Sequence, residues 1–434
     1  MFDSMNIKKE IVDSLNAMGF KEPTEVQKQA IPPGLEGRDV IVKSKTGSGK
    51  TAAFLIPIIN NLKKSHYPSA MVIVPTRELA MQVTDVAKQI GHNIGIRTFT
   101  VYGGASINIQ IEAIRAGVNI IVGTPGRVID LIKRGELPTD QIKFLVLDEF
   151  DIMLDMGFID DVKYILSKIP QEKQTMFFSA TIPSEIRAVT NKYTKNPIII
   201  NIDSKEVTVD TIEHYYSIAR VADKFLTLLA YIDTKKPKKS IVFCRTQINA
   251  ERIHTILRKV GIPAVLMHGG LSQSRREHSL SLFKSGTEML IATNVASRGL
   301  DIDNVSDIIN FDAEEDPKAY VHRVGRTARM GKSGRAFTIL TPRERYLVYD
   351  IESYAKIKMN LLEFDLSSYK EKMKGISEQT NDFGDMAMRR NSGFGGDRRN
   401  SDKRPFNRRF GNNGNRNFHH SKRREFGNKY SNQD

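Results

Sequence analysis

The stretch that most constrains this chain is Ser44-Lys45-Thr46-Gly47-Ser48-Gly49-Lys50-Thr51, which follows the apolar run Val40-Ile41-Val42 and precedes the helical pattern Ala52-Ala53-Phe54-Leu55. Strand, small-residue loop and helix start in this order form a phosphate cradle: glycines let backbone N–H groups face phosphate oxygens, and the helix N-terminus adds partial positive charge. Lys50 is placed to reach terminal phosphates and Thr51 to offer a hydroxyl to Mg²⁺, with Thr46, Gly47, Ser48 and Gly49 as the cradle. A plain Gly/Ser turn before a helix is the alternative, and Ser44 stands where the general pattern has Gly.

Around this loop, apolar strand patterns alternate with helical ones. Ala70 to Val74, Thr98 to Tyr102, Asn119 to Val122, Lys143 to Leu147, Gln174 to Phe178 and Ile198 to Ile202 read as strands, and His214 to Ile218, Ser240 to Cys244, Ala264 to Met267, Met289 to Ala292, Asp307 to Asn310 and Arg335 to Leu340 repeat the theme. Such alternation predicts an α/β fold with parallel sheets flanked by helices, whose ligands collect at the carboxyl ends of strands. The expected organisation is a first domain over 1–203, a linker over 204–212, a second domain over 213–370 and a tail over 371–434.

Asp148-Glu149-Phe150-Asp151 follows Phe144-Leu145-Val146-Leu147 directly. A carboxylate at a strand end suits Mg²⁺, and its neighbour can deprotonate an attacking water; a solvated acidic loop is the alternative. Earlier, Ile7, Ile11, Leu15 and Met18 share one helical face before Gly19, and Phe20 and Gln27 offer a stacking ring and an amide able to read an adenine edge. In the second half, Arg298, Arg323, Arg326 and Arg329 form a cationic set, the last three spaced by three along a helix or beside it. They either reach a γ-phosphate across a cleft or make a solvated basic face.

Charge is concentrated at one end. Residues 386–434 hold 13 Lys/Arg and 4 Asp/Glu, or +9 of the chain's +15. From Asn391 onward there is no Leu, Ile, Val, Met or Ala, so the segment is expected to stay disordered, its arginines neutralising phosphates and Phe394, Phe406, Phe410, Phe418, Phe426 and Tyr430 stacking on bases. A merely solubilising tail is the alternative. One cysteine, Cys244, within an apolar strand, excludes an intramolecular disulfide and a thiolate zinc cluster. With no signal-like N-terminus and no apolar run near 18 residues, the expected location is the cytoplasm, without a membrane partner.

Taken together, Phe20 to Gln27, Ser44 to Thr51, Pro75 to Ala80, Gly103-Gly104, Thr124 to Arg127, Asp148 to Asp151, Ser179 to Thr181, Ile241 to Thr246, His268-Gly269 with Gln273 and Arg276, Ala292 to Asp301 and His322 to Arg329 resemble, in order and spacing, the DEAD-box family of RNA helicases. The resemblance implies two RecA-like domains that close on ATP and single-stranded RNA. It implies adenine selection by Gln27 and Phe20, phosphate and Mg²⁺ binding by Lys50, Thr51 and Asp148, and water activation by Glu149. Asp301, Arg326 and Arg329 would complete the site from the second domain. Thr76, Arg77, Gly104, Thr124, Gly126 and Arg127, opposite Thr246, Gly269 and Thr293, would hold RNA phosphates and sugars without reading sequence. Asp151, Ser179 and Thr181 would couple the domains.

Four departures from the family pattern stand out: Phe150 for Ala, Ser44-Lys45 for Ala-Gln, Asn294 for Asp and Ala328 for Gly. The Phe150 ring needs a pocket. The resulting expectation is an RNA-dependent ATPase that separates short duplexes or remodels RNA–protein complexes, in ribosome assembly, RNA decay or cold adaptation. The alternatives are an ATP-gated RNA clamp with weak hydrolysis and, from a related branch, a DNA helicase. Ribonucleoprotein or RNA-decay partners fit this expectation, and the oligomeric state is not legible.

Overall fold

The computed structural model describes residues 1–371 except 45–46, 203–211, 294–304 and 329–332. Thr46, Asn294, Arg298, Asp301, Arg329, most of the expected linker and all but the start of the tail lie outside the described residues.

Two seven-stranded sheets account for the α/β pattern. The first contains β1 (Val40–Lys43), β2 (Ala70–Ile73), β3 (Thr98–Val101), β4 (Ile120–Gly123), β5 (Phe144–Leu147), β6 (Gln174–Ser179) and β7 (Ile198–Asn201), ordered β3-β4-β2-β5-β6-β1-β7. The second contains β8 (Ile212–Ile218), β9 (Ser240–Cys244), β10 (Ala264–Met267), β11 (Met289–Thr293), β12 (Asp307–Asn310), β13 (Gly334–Leu340) and β14 (Asn360–Leu361), ordered β10-β11-β9-β12-β13-β8-β14. Every described pairing is parallel, as crossover helices require. Strands buried on both faces explain why β2, β4 and β9 read as nearly continuous apolar runs.

The first sheet has a core on each face. Ile11, Leu15, Phe54, Ile58 and Phe178 pack on one, and Leu131, Leu145, Phe150, Ile165 and Phe177 on the other. The expected N-terminal helix runs Lys9–Ala17, with Ile11 and Leu15 fully buried. Gly19 closes it at φ +82°, a conformation that suits glycine. The amphipathic segment after Arg345 forms the helix Leu347–Ala355, which buries Leu347 and Ile351 against the second sheet and leaves Tyr346, Tyr349 and Tyr354 exposed. Strand β14 was not expected, because two residues carry no alternation to read.

Candidate active site

Chain order and sheet order together divide each rim into halves. The loops after β3, β4 and β2, which are neighbours in the first sheet, carry Gly104, Thr124 to Arg127, and Thr76-Arg77. Those after β10, β11 and β9, neighbours in the second, carry Gly269 and Thr246, with Thr293 ending β11. The phosphate loop, the acidic cluster and Ser179 to Thr181 instead follow β1, β5 and β6. The two predicted residue sets therefore occupy different halves of the rim.

In the phosphate-loop half, Lys50 opens the helix Lys50–Asn61 and is only 6% exposed. Its Nζ donates to the Ser44 carbonyl at 3.4 Å and lies 3.9 Å from Asp148 Oδ1. Ser44 suits its place: its N–H donates to the Ser179 carbonyl at 2.9 Å and its hydroxyl lies 3.1 Å from that of Ser48. Gly49 has no substitute, since at φ +92° an added Cβ would lie 2.6 Å from Gln27 Nε2. That contact is one the sequence did not reveal. Gln27 donates from Nε2 to the Gly49 carbonyl at 3.1 Å, and its Oε1 accepts from the Thr24 N–H at 3.0 Å in a helix-capping box. An amide carries two donor hydrogens and two acceptor lone pairs, so one of each remains for a ligand edge. Phe20 is half-buried, packed on the first core.

Asp148 and Glu149 are 2% and 5% exposed. Burial raises the Asp148 pKa, with Lys50 and the Glu149 N–H, which donates to Asp148 Oδ1 at 2.9 Å, opposing the shift. Burial pushes Glu149 up to about 7, against the charges of Lys50 and of Arg326 from the second sheet's side. Glu149 Oε2 is buried without a hydrogen-bond partner, and the residue is held in the left-handed region at φ 51°. A carboxylate of this kind, desolvated and near neutral pKa, is suited to taking a proton from water.

Phe150 finds its pocket. The ring is wholly buried at 5.4 Å from that of Phe177, inside the second core of the first sheet. Asp151, next in sequence, is tied to the strand beyond: its N–H donates to Ser179 Oγ at 3.1 Å, Ser179 Oγ donates to the Thr181 carbonyl at 2.6 Å, and Asp151 Oδ2 accepts from Thr181 N and Oγ1 at 2.9 and 3.1 Å. These three residues are one hydrogen-bonded unit.

In the other half, Thr76 caps the helix Arg77–Gly91 and Thr246 the helix Gln247–Lys259, each accepting from the N–H three residues on. Gly104, at φ +85°, lies where any Cβ would meet the Arg77 guanidinium at 2.4 Å. Arg127 donates twice to the Ala105 carbonyl at 3.2 Å, and Gly126 faces open space. Two contacts here join the sheets' helices: Arg77 Nη1 to Gln273 Oε1 at 3.5 Å, and an Arg276–Glu78 ion pair at 2.8 Å.

The cationic set separates. Arg326 is 8% exposed and its charge acts on Glu149. Arg323, three residues earlier, turns into its own lobe, donating to Asn310 Oδ1 at 2.9 Å, to the Asp312 carbonyl at 3.0 Å and to Glu314. The helix Pro317–Val324 ends between them, so the spacing of three does not keep the two arginines on one side. Lys318 and Asp155, which sequence reasoning passed over, meet at 3.6 Å.

Among the described residues no three His, Cys, Asp or Glu side chains converge as a metal cage, and no helix is long and apolar enough to cross a membrane. Comparison with known proteins identifies the family. The sequence matches the DEAD/DEAH box helicase family over residues 24–189 and the helicase conserved C-terminal domain over 223–331. It is 43% identical over 361 residues to the DEAD-box ATP-dependent RNA helicase CshA of Bacillus subtilis, covering 83% of this chain and 73% of that one. The structure is similar to that of S. cerevisiae Dbp5 bound to RNA and ADP BeF3, at TM-score 0.76 and 31% identity, covering 87% of this chain and 98% of that one. It is also similar to that of the DEAD-box helicase Mss116 bound to ssRNA and UDP-BeF, at TM-score 0.77 and 27% identity, covering 86% and 81%. A phosphate loop wired to a buried acidic pair, facing a second lobe of the same architecture, thus has its match along both halves of the chain, which belongs to the DEAD-box family of ATP-dependent RNA helicases.

Proposed function

We propose that this helicase hydrolyses ATP in the half of the cleft built on β1, β5 and β6 and holds one RNA strand in the half built on β3-β4-β2 and β10-β11-β9. Lobe closure joins the two events. The observation that carries this reading is Glu149: a buried carboxylate with an unpaired oxygen and a pKa near 7, under the charge of an arginine from the other lobe. Lys50 binds the terminal phosphates, Glu149 takes the proton of the attacking water, and Arg326, with Arg329, stabilises charge on the transferred phosphoryl group. Gln27 and Phe20 take the adenine edge and face, Gln27 reporting through Gly49 to the phosphate loop. Asp301 joins from the second lobe.

Thr51 and Asp148 would hold Mg²⁺. Buried Asp148, Glu149 and Asp151, opposed by Lys50 and Arg326, form an acidic cluster that fits a divalent cation held mostly through phosphates and water. When bound, the ion neutralises phosphate charge.

On the RNA side, Arg77, Arg127 and the N-terminal caps at Thr76, Thr124 and Thr246 present cations and backbone N–H groups to phosphates and sugars, as do Gly104, Gly126, Gly269 and Thr293. Asp151, Ser179 and Thr181 tie the acidic cluster to the strand beside the phosphate loop, so that hydrolysis and lobe separation are one event. Closure on a single strand excludes its partner, which supports local separation of short duplexes or remodelling of RNA–protein complexes. The basic tail is a non-specific RNA tether. A cytoplasmic setting belongs to this reading, supported by the buried, unpaired Cys244.

Steady-state ATP hydrolysis without nucleic acid, with RNA and with matched DNA tests it. Stimulation by RNA is expected, with Glu149→Gln lowering turnover at least ~100-fold while ATP and RNA binding persist. Turnover unaltered by Glu149→Gln would remove the residue from its role, and RNA binding without turnover in the parent chain would make the protein a clamp.

A further inference from the structure

The helices Phe150–Asp155 and Pro317–Val324 belong to opposite lobes, and each carries two ionisable groups one turn apart, Asp151 with Asp155 and Lys318 with His322. A spacing of four puts each pair on one helix face. The faces meet: Lys318 Nζ lies 3.6 Å from Asp155 Oδ1, and the charges felt by His322 are those of Asp151, Lys318, Asp155 and Arg326.

The position of each charge on its own helix is unfavourable. Asp155 is the last residue of its helix, where the peptide dipoles already gather negative charge. Lys318 is the second residue of its helix, at the positive end, although Asp316 caps that end by accepting from the Lys318 N–H at 2.9 Å. Neither charge has a good local reason to be there. Across the cleft, the Lys318 ammonium supplies what the end of the first lobe's helix lacks. The side chains are 29% and 30% exposed, so the pair is less screened than one on an open surface.

We propose that Asp155 and Lys318 are positioning residues that form a closure latch, an ion pair made only when the lobes come together. The inference rests on the reading that hydrolysis requires closure. Neither residue needs to touch ATP or RNA. Each acts through its helix: Asp155 through the one that starts at the acidic cluster, and Lys318 through the one that leads to Arg326.

The test uses the full chain carrying one fluorophore on an exposed residue of each lobe, with a nonhydrolysable ATP analogue and single-stranded RNA. Asp155→Lys, Lys318→Asp and the double exchange are compared with the parent, circular dichroism confirming that each is folded. Each single reversal places like charges together, and should raise the RNA concentration for half-closure about three- to tenfold. The same shift should appear in the KM for RNA of the ATPase, with kcat at saturating RNA changed less. The double exchange should recover most of the shift but not all, because each charge now suits its own helix in the open state. Singles within twofold of the parent, or a double no better than the worse single, would overturn the latch alone. A parent that does not close under these conditions would overturn the latch and the closure step together.

Discussion

In the first lobe, Lys50, Asp148, Glu149 and Asp151 are buried together at the strand ends, with Glu149 Oε2 unpaired and both lobes' cations needed to temper the acidic pair. The second lobe buries charge as deeply and, apart from Arg276 and Arg326, whose charges act on the first lobe, pairs it at home. Asp307 accepts from Tyr231 Oη at 2.7 Å and pairs with Arg335 Nε at 2.8 Å; Lys224 donates to the Phe311 carbonyl at 3.0 Å and to Asp312 at 3.2 Å; Arg323 is held by Asn310, Asp312 and Glu314. Among the described residues, most buried side-chain polar atoms without a hydrogen-bond partner belong to the first lobe; most of these are neutral amides and hydroxyls, with Glu149 Oε2 the one in the acidic cluster. Desolvated charge without partners is expensive and is kept where a ligand or reaction needs it. On the proposed function, one lobe holds charge for substrate while the other uses it to fix a shape that carries Arg326.

The largest effect that would sharpen this contrast is in the second lobe. Arg323→Met keeps most of the volume but leaves Asn310, the Asp312 carbonyl and Glu314 without their donor, and should lower that lobe's stability by about 3–5 kcal/mol. Hydrogen exchange read lobe by lobe would show it, with first-lobe protection unchanged. A loss below about 1 kcal/mol, as for a surface pair, would mean that the second lobe's charges are not structural after all.

The first lobe should answer in the opposite sense. Burial raises Glu149 from 4.5 to about 7, so the folded chain keeps a proton that the unfolded chain has released. The associated stability is fully present below the unfolded pKa and is lost as pH rises through about 7. With nucleotide absent and metal chelated, Glu149→Gln should therefore stabilise the first lobe by on the order of 1–3 kcal/mol at about pH 8, the gain vanishing toward pH ~4.5. On the proposed role of Glu149, the same change should also lower turnover at least ~100-fold. Equal stability of parent and variant across this range would show that the Glu149 carboxylate is not held at a disadvantage.

The contrast between lobes also marks what the sequence discloses. Strand positions were legible to within a residue or so because buried parallel strands leave unbroken apolar runs such as Ile241-Val242-Phe243 and Leu145-Val146-Leu147. The phosphate loop and the acidic cluster were legible because their chemistry needs fixed residue types at fixed spacing. Arg323 and Arg326 could not be told apart, since both are arginines three apart and only the end of the helix at Val324 separates their directions. The Phe150 pocket was invisible for a different reason: it is built in part by Phe177, a residue 27 positions away on β6. The side-chain chemistry of Gln27 points to a ligand edge, whereas its hydrogen bond to Gly49 depends on tertiary approach.

The smallest prediction concerns a strain that both lobes share at the cleft. Glu149 in the first and Ala328 in the second each adopt left-handed backbone, at φ 51° and 53°. For an L-residue with a Cβ this conformation costs about 1–2 kcal/mol, and glycine escapes the penalty while adding disorder to the unfolded chain worth roughly 0.4–1 kcal/mol. The net gain from Ala328→Gly should be about 0.5–1 kcal/mol, confined to the second lobe and visible as a small rise in its unfolding midpoint. Its bearing on catalysis follows from position, since Ala328 lies two residues beyond Arg326. If the strain helps to hold Arg326 toward Glu149, the more stable variant should show slower RNA-stimulated turnover; if the strain is idle, turnover should be unchanged. A fall in stability would instead show that the Ala328 methyl makes packing contacts worth more than its backbone strain, and the second lobe would then be relaxed even at the rim.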